Sequence, residues 1–105
     1  MEELTLLYVT CADGDEAKRI ARGLLADRLV ACANVLSPHT AIYRWQGEVQ
    51  EDAEVGMLLK TRRDLTVPVA ERIKAMHSYD LPCVVSLPIH GGSADFLAWL
   101  HAEVG

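Results

Sequence analysis

The longest regular pattern in the chain is an alternation of apolar and polar side chains from residue 48 to residue 61. Such a period of two is typical of a strand with one buried face. A second strand-like run, AIYRW, precedes it across Gln46-Gly47, where the glycine favours a tight reversal. The two runs therefore predict a long β-hairpin. The apolar positions of its second strand are Val49, Ala53, Val55, Met57 and Leu59.

Three more strand-like runs lie before and after this hairpin in the sequence. Residues 4–11 are apolar and β-branched and end at the breaker ADGD, which predicts a buried strand. Residues 29–36 and 83–89 are further apolar runs. Ser37-Pro38 follows the first of these before the hairpin sequence resumes, and a proline in a strand pattern predicts a bulge or an edge strand.

Helix patterns separate these strands. Asp13 lies three residues before Glu16, the spacing of a capping box, and the apolar face that follows predicts a helix to about Arg28. A second helix is predicted at 65–76, and Ser93 can cap a short third one. The order β-α-β-β-α-β predicts an α+β, ferredoxin-like fold with an extended β2-β3 hairpin and a short C-terminal helix. At this length we expect a single domain over residues 1–105.

The hairpin is too long for one copy of this chain to cover. Its strands run ten to fifteen residues, whereas strands of five or six are usual. Two helices cannot cover that length, so Ile42, Tyr43 and Trp45 are left with little of their own chain to pack on. Exposed apolar strands of this kind are normally buried against another subunit. The sequence therefore predicts a symmetric homo-oligomer built through the hairpin.

Composition excludes several classes of function. Ten basic residues against fifteen acidic ones give a net charge of −5, which argues against nucleic-acid binding. No apolar stretch approaches the roughly 20 residues of a membrane span, and the acidic start is unlike a signal peptide. The three cysteines are far apart and form no C-x-x-C pair, so we expect no disulfide framework and a reducing compartment. The expected location is the cytoplasm.

The segment HSYDLPC places three kinds of metal-ligating side chain within seven residues: His77, Asp80 and Cys83. Imidazole, carboxylate and thiolate all bind first-row metals, and a loop after a helix could bring them together. The spacing matches no dedicated metal motif, however. The alternative interpretation is a turn in which His77 interacts with a helix C-terminus and Cys83 is a small buried hydrophobe.

Cys11 ends the first strand, where a ferredoxin-like copper chaperone carries its metal loop. Those chaperones resemble one another in having M-x-C-x-x-C there, but this chain has VTCADGD, with no second thiol. Cys11 could still contribute one metal ligand per subunit. A buried structural thiol is the other interpretation.

Five further residues suggest a cleft or a subunit interface. Aromatic rings beside one cation suit a small anionic ligand, and the same rings are common in interfaces. These candidates are Tyr43, Trp45, Lys60, Tyr79 and Trp99. Enzyme signatures are missing: the sequence contains no G-x-S-x-G, no H-E-x-x-H and no Rossmann fingerprint. We therefore expect neither catalysis nor an organic cofactor.

Several blocks of the chain resemble the CutA divalent-cation tolerance proteins, in order and in spacing. They include ACAN, IYRWQGEV, LLKT, HSYDLPCVVSLPI and FLAWL, and the likeness runs from VTCADGDEA to AWL. The resemblance implies a homotrimer of ferredoxin-like subunits joined through their hairpins. It also implies a role in tolerance of copper and other divalent metals, with copper(II) as the metal most often proposed. The family is similar in architecture to PII-type signalling trimers, which bind small ligands in clefts between subunits.

The chain departs from that family at one place. The family usually has His-Pro-Tyr-Glu, two further residues and then Glu. Here Ser78 replaces the proline, Asp80 the first glutamate and Cys83 the second. A thiolate would favour softer ions than a carboxylate does. The function expected from the sequence is metal binding by a homotrimer. One alternative is a PII-like small-ligand or partner-binding module in which metal binding is incidental, and another is a structural oligomer with no dedicated ligand.

Overall fold

The computed structural model describes residues 3–105 and contains four strands and three α-helices. The strands are β1 (Leu4–Cys11), β2 (Cys32–Trp45), β3 (Glu48–Arg62) and β4 (Val84–Ile89). The helices are α1 (Gly14–Ala26), α2 (Thr66–Met76) and α3 (Ala94–Glu103), and a short 3₁₀ turn, Arg63–Leu65, leads into α2. None of these helices has the length and hydropathy that crossing a membrane requires.

The strands form one antiparallel sheet in the order β2-β3-β1-β4. This order and the βαββαβ connectivity confirm the predicted ferredoxin-like fold. In the register of β1 with β3, Leu7 lies opposite Leu59 and Val9 opposite Met57. These four side chains are fully buried and point to the same face as the helices. The alternation predicted for β3 therefore places Val55, Met57 and Leu59 in the core, whereas Val49 and Ala53 of the same parity are exposed.

The first helix begins as the capping-box spacing predicts. The Asp13 carboxylate accepts a hydrogen bond of 2.9 Å from the Glu16 N–H. The Glu16 carboxylate reaches back to the N–H of Ala12, one residue before the cap. The helix ends at Ala26, two residues before the predicted end, because Arg28 adopts a left-handed conformation with φ 56°.

The second strand also starts later than predicted, at Cys32 and not at residue 29. Val30 and Ala31 are buried outside it, and the Ala31 N–H donates to the Lys60 carbonyl. Their apolar character reflects burial in the core just before β2 begins, and the hydrogen bond of Ala31 already links this segment to β3. The pairing of β2 with β3 shifts register between Val35 and Pro38, so the predicted bulge is present on a strand that also lies at the sheet edge.

Gln46 and Gly47 close the hairpin with φ values of 50° and 83°. Positive φ at both central residues is the pattern of a type I′ turn, which suits the twist of a two-residue hairpin.

The outer half of the hairpin extends beyond the helices. Ile42 and Val49 are 67% and 63% exposed, and Trp45 is 41% exposed. The subunit measures 44 × 25 × 23 Å with a radius of gyration of 14.2 Å, against about 13 Å for a compact chain of this length. Its accessible surface of 6365 Å² exceeds the roughly 5,800 Å² expected for a compact monomer of this mass. The single subunit therefore leaves apolar surface uncovered.

Candidate functional site

Two sites contain most of the candidate residues. The first, called the buried cluster here, consists of Cys11, Glu16 and His77. Cys11 ends β1, Glu16 lies in the first turn of α1, and His77 follows the last residue of α2. One ligand-type atom from each lies within 4.8 Å of the others. The fold thus brings together two residues that are 66 positions apart.

The imidazole of His77 is fully buried, and both of its nitrogens form hydrogen bonds with backbone groups. Nε2 lies 2.8 Å from the carbonyl oxygen of Thr10, which can only accept a hydrogen bond, so Nε2 carries the proton. Nδ1 accepts a 3.0 Å hydrogen bond from the N–H of Tyr79. These two contacts select the neutral Nε2–H tautomer. The 3.8 Å contact between Nδ1 and Glu16 is therefore not an ion pair.

The carboxylate of Glu16, in α1, accepts hydrogen bonds from the segment before this helix and from the loop after α2. Oε1 accepts from the N–H of Ala12 at 3.0 Å, and Oε2 accepts from the N–H of Ser78 at 2.9 Å. The Arg19 guanidinium lies 3.7 Å from Oε2. Burial acts to raise the pKa of Glu16, but the hydrogen bonds from Ser78 and Ala12 outweigh it and hold that pKa below its ordinary value. Glu16 is therefore a carboxylate that the fold has already satisfied.

The thiol of Cys11 is fully buried. Burial, followed by the negative charge of Glu16, raises the pKa of Cys11 to about 12. Near neutral pH this sulfur is a protonated thiol, whereas metals are bound by the thiolate.

These observations show how well the buried cluster fits a divalent ion. The thiol holds its proton, the imidazole is hydrogen-bonded at both nitrogens, and both carboxylate oxygens accept backbone N–H groups. The Arg19 guanidinium adds a positive charge beside the cluster. A metal ion would have to displace these contacts, so the cluster as folded does not fit one.

The second site is an open groove of about 610 Å³ between the hairpin and the loop that follows α2. We call it the groove. Rings from β1, β2 and the loop form much of its wall, and carboxylates, an imidazole and a thiol interrupt them. Its lining consists of Tyr8, Thr10, His39, Ala41, Ile42, Tyr43, Trp45, Glu54, Tyr79, Asp80, Leu81 and Cys83.

Glu54 is the polar centre of the groove. It is only 8% exposed, and its carboxylate accepts a 3.0 Å hydrogen bond from the Tyr79 hydroxyl. Nε2 of His39 lies 3.6 Å from its other oxygen. Burial, followed by this hydrogen bond to Glu54, raises the pKa of Tyr79. Tyr79 therefore remains a donor to Glu54 across the physiological range.

The four predicted metal ligands separate into two pairs. Cys11 and His77 meet in the buried cluster, whereas Asp80 and Cys83 line the groove. Among residues 3–105 the buried cluster is the one group of three ligand-type side chains close enough to share an ion. The loop turns between His77 and Asp80, so residues that are neighbours in sequence face different environments.

The predicted aromatic set also separates. Tyr43, Trp45 and Tyr79 line the groove together. Lys60 instead donates a 2.6 Å hydrogen bond to the side-chain oxygen of Asn34 and lines a smaller pocket of about 300 Å³ near α3. Trp99 lies on α3 with its ring 5.5 Å from that of Phe96. The cation of this set is therefore not part of the groove.

Glu16, Glu54 and His39 were not predicted as site residues. Glu16 was interpreted only as half of a capping box, and neither Glu54 nor His39 was singled out. No sequence signal marks Glu54, because a polar residue at this position fits the alternation of β3, although the structure buries both Glu54 and Val55. No local pattern marks Glu16 as a partner of Ser78, 62 residues away.

Comparison with known proteins assigns the family. Residues 5–103 match the family described as CutA1 divalent ion tolerance protein. The chain belongs to the CutA1 family. It is 43% identical to a divalent-cation tolerance protein CutA of Thermus thermophilus over the full length of both. It is 42% identical to one of Pyrococcus horikoshii, over 95% of this chain and 97% of that protein. The resemblance seen in the sequence is confirmed.

Solved structures of CutA1 family members share this architecture. A CutA1 crystal structure from Oryza sativa aligns with a TM-score of 0.96 at 36% identity, covering 99% of this chain and 95% of that one. The fold that positions the buried cluster and the groove is therefore that of the family.

Proposed function

We propose that this protein is a homotrimer that binds divalent metal, with copper(II) as its metal, and acts in metal-ion tolerance in the cytoplasm. Membership of the divalent ion tolerance family is the observation that carries the proposal. The described cysteines are all free thiols, which suits a reducing compartment. The proposed activity is binding and not catalysis.

The trimer is supported by surface that one subunit leaves uncovered. On the outer hairpin Ile42, Trp45 and Val49 are exposed, and on the sheet face away from the helices Val85 and Leu87 are about half exposed. At about 25 cal/mol per Å² of apolar area, burying these side chains would favour association. The number of subunits comes from the family resemblance.

The test of the trimer compares two apolar-to-acidic changes. Trp45→Asp places a charge on the outer hairpin, whereas Val67→Asp places one on α2, where Val67 is 64% exposed. Light scattering coupled to gel filtration should show a trimer for the parent and for Val67→Asp, and smaller species for Trp45→Asp. A monomeric parent, or an intact Trp45→Asp trimer, would contradict the hairpin interface.

The groove supplies the accessible metal donors. Asp80 is exposed and Cys83 is half-buried there, and His39 and Glu54 also line the groove. Carboxylate, imidazole and thiolate are ligand types for copper and zinc, and these side chains would have to move closer together to share one ion. Cys11 and His77 contribute only where an ion displaces the hydrogen bonds of the buried cluster. We therefore place metal contact at the groove, with Asp80 and Cys83 as its ligands from the predicted set.

Calorimetric titration with copper(II) and with zinc(II) tests this assignment. Cys83→Ser and Asp80→Asn should each weaken binding about tenfold or more, which is about 1.4 kcal/mol. Cys32→Ser is the matched control, because Cys32 is a half-buried cysteine of β2 outside the groove. Equal affinity in the parent and both groove variants would remove the proposed site.

The groove also favours a second function, the small-ligand module. Its volume of about 610 Å³ falls within the 300–1,000 Å³ of small-molecule sites and is far larger than an ion needs. A small anion was the ligand expected from the sequence. The location of Lys60 outside the groove removes the cation that this expectation relied on.

A further inference from the structure

We propose that the groove is a binding site for an organic cation, a small ammonium compound with an apolar body. The proposal deepens the small-ligand function of the groove and does not depend on metal binding. It requires that the groove stay open in the proposed trimer, where Ile42 and Trp45, which line it, also pack against a second subunit. It rests on the chemistry of the groove wall: its charge, its rings and the unusual burial of one carboxylate.

Apart from the His39 imidazole, the ionisable groups that give the groove wall its charge at neutral pH are carboxylates. Glu54 and Asp80 are its carboxylates, and none of the lining residues is a lysine or an arginine. The Tyr43 hydroxyl at the rim donates to the carboxylate of Asp52, so a third acidic group lies beside the groove. An anionic ligand would meet unfavourable charges on entry, whereas a cation would be attracted.

Glu54 is the anchor for such a cation. It is more than nine-tenths buried, yet its partners are one tyrosine hydroxyl at 3.0 Å and one histidine nitrogen at 3.6 Å. Glu16 is equally buried but is satisfied by two backbone N–H groups and a nearby guanidinium. A buried carboxylate requires hydrogen bonds or an opposite charge to offset its desolvation. Glu54 therefore retains capacity for a positively charged donor that comes from the groove.

The rings supply the second half of the recognition. Tyr8, Tyr43, Trp45 and Tyr79 all line the groove, which is four of the six Phe, Tyr and Trp residues of the chain. Aromatic faces attract ammonium groups through their quadrupoles, by about 0.5–2 kcal/mol per contact. A metal ion needs no such walls, whereas an alkylammonium ligand uses the rings for its charge and for its apolar body.

The test uses Trp45 as the reporter. The chain has two tryptophans, so Trp99→Phe leaves Trp45 as the single indole, and Trp99 lies outside the groove. The assembled full-length protein is titrated with butylammonium, 1-butanol and butyrate, which share an apolar body and differ in charge. Chelator and constant ionic strength remove the contributions of metal and of general screening.

We expect saturable quenching or a spectral shift with butylammonium. Response to 1-butanol and butyrate should require at least about tenfold higher concentration, since the neutral alcohol lacks the charge and the anion is repelled. Glu54→Gln keeps an acceptor for Tyr79 and should weaken butylammonium binding about tenfold. Glu51→Gln removes the same charge from an exposed position of β3 outside the groove and should change nothing.

Several results would overturn the proposal. An equal response to 1-butanol indicates an apolar slot without charge recognition, and a stronger response to butyrate indicates an anion site. Butylammonium binding that Glu54→Gln leaves unchanged removes the anchor. Absence of any saturable response means that the groove is closed in the assembled protein, for instance by a second subunit. Because chelator is present throughout, none of these outcomes bears on metal binding.

Discussion

The buried cluster and the groove contain the same kinds of side chain and behave in opposite ways. Each has a cysteine, a buried glutamate and a histidine. In the cluster, backbone groups satisfy Glu16 and His77 completely. In the groove, Glu54 has a tyrosine hydroxyl and a distant imidazole as partners and faces open space. Residue type alone therefore does not distinguish a structural cluster from a binding site; the availability of lone pairs does.

Tyr79 connects the two regions. Its backbone N–H donates to His77 in the cluster, and its hydroxyl donates to Glu54 in the groove. The rings of Tyr79 and His77 also lie 4.7 Å apart. The closed cluster thus fixes the position of a groove residue. We infer that the cluster stabilises the fold and orients the loop, and that the groove is the part of the molecule available to ligands.

The largest expected difference between the two regions is in thiol reactivity. At pH 8 a pKa of about 12 leaves Cys11 with roughly a thousandth of the thiolate of an unperturbed cysteine, and burial blocks access as well. We expect Cys83 to be alkylated by iodoacetamide while Cys11 is not. Peptide mass spectrometry over a time course measures both rates in one sample. Comparable rates would show that the cluster opens readily.

The second largest expected effect is the loss of stability when the buried glutamate of the cluster is removed. Glu16→Ala leaves the N–H groups of Ala12 and Ser78 without their acceptor and should lower the free energy of unfolding by about 2–4 kcal/mol. Asp15→Ala is the control, because it removes the same charge from an exposed position of the same helix turn and should stay within about 0.5 kcal/mol. Urea unfolding at one fixed protein concentration measures both. A small effect of Glu16→Ala would refute the structural role of the cluster.

Alkaline pH should lower the free energy of unfolding through Cys11 of the buried cluster. Below pH 9 Cys11 is protonated in both states, but above it the unfolded chain loses this proton while the folded chain keeps it up to about pH 12. Stability therefore falls as pH rises, by about 1 kcal/mol between pH 9 and 10 from this group. Cys11→Ala should abolish that part of the decline and Cys83→Ala should not. Identical pH profiles of the two variants in urea unfolding would contradict the raised pKa of Cys11.

At acid pH the dependence of stability on pH has the opposite sign, because it comes from Glu16. Folding lowers the pKa of Glu16, so this carboxylate stabilises the fold at pH values above its pKa in the unfolded chain. That stabilisation is lost as the pH falls through its pKa in the folded chain.

The smallest expected effect concerns the groove itself. Tyr79→Phe removes the hydroxyl that donates to buried Glu54 and should cost about 1 kcal/mol of unfolding free energy. Tyr43→Phe removes the hydroxyl bonded to Asp52 at an exposed position and should leave the urea midpoint unchanged. If both variants matched the parent, Glu54 would not depend on Tyr79 for its burial.

Local pattern was enough for most of the fold. The alternation in β3, the Asp13–Glu16 cap and the Gln46-Gly47 turn each predicted an element that the structure contains. The errors were at boundaries such as residues 29–31, where Val30 and Ala31 are buried although β2 begins only at Cys32. Burial and strand pairing give the same sequence signal, so periodicity could not separate them there.

The sequence by itself determined the order of strands and helices, the family and the excess length of the hairpin, because these depend on the spacing of side chains within one segment. Only the tertiary structure decided which candidate residues meet. Cys11 and His77 meet Glu16 in the buried cluster. Asp80 and Cys83 line the groove together with Glu54 and the aromatic rings. The physical reason is that burial and hydrogen-bond satisfaction are properties of contacts between distant segments, and these properties determine whether a carboxylate, an imidazole or a thiol is available to a ligand.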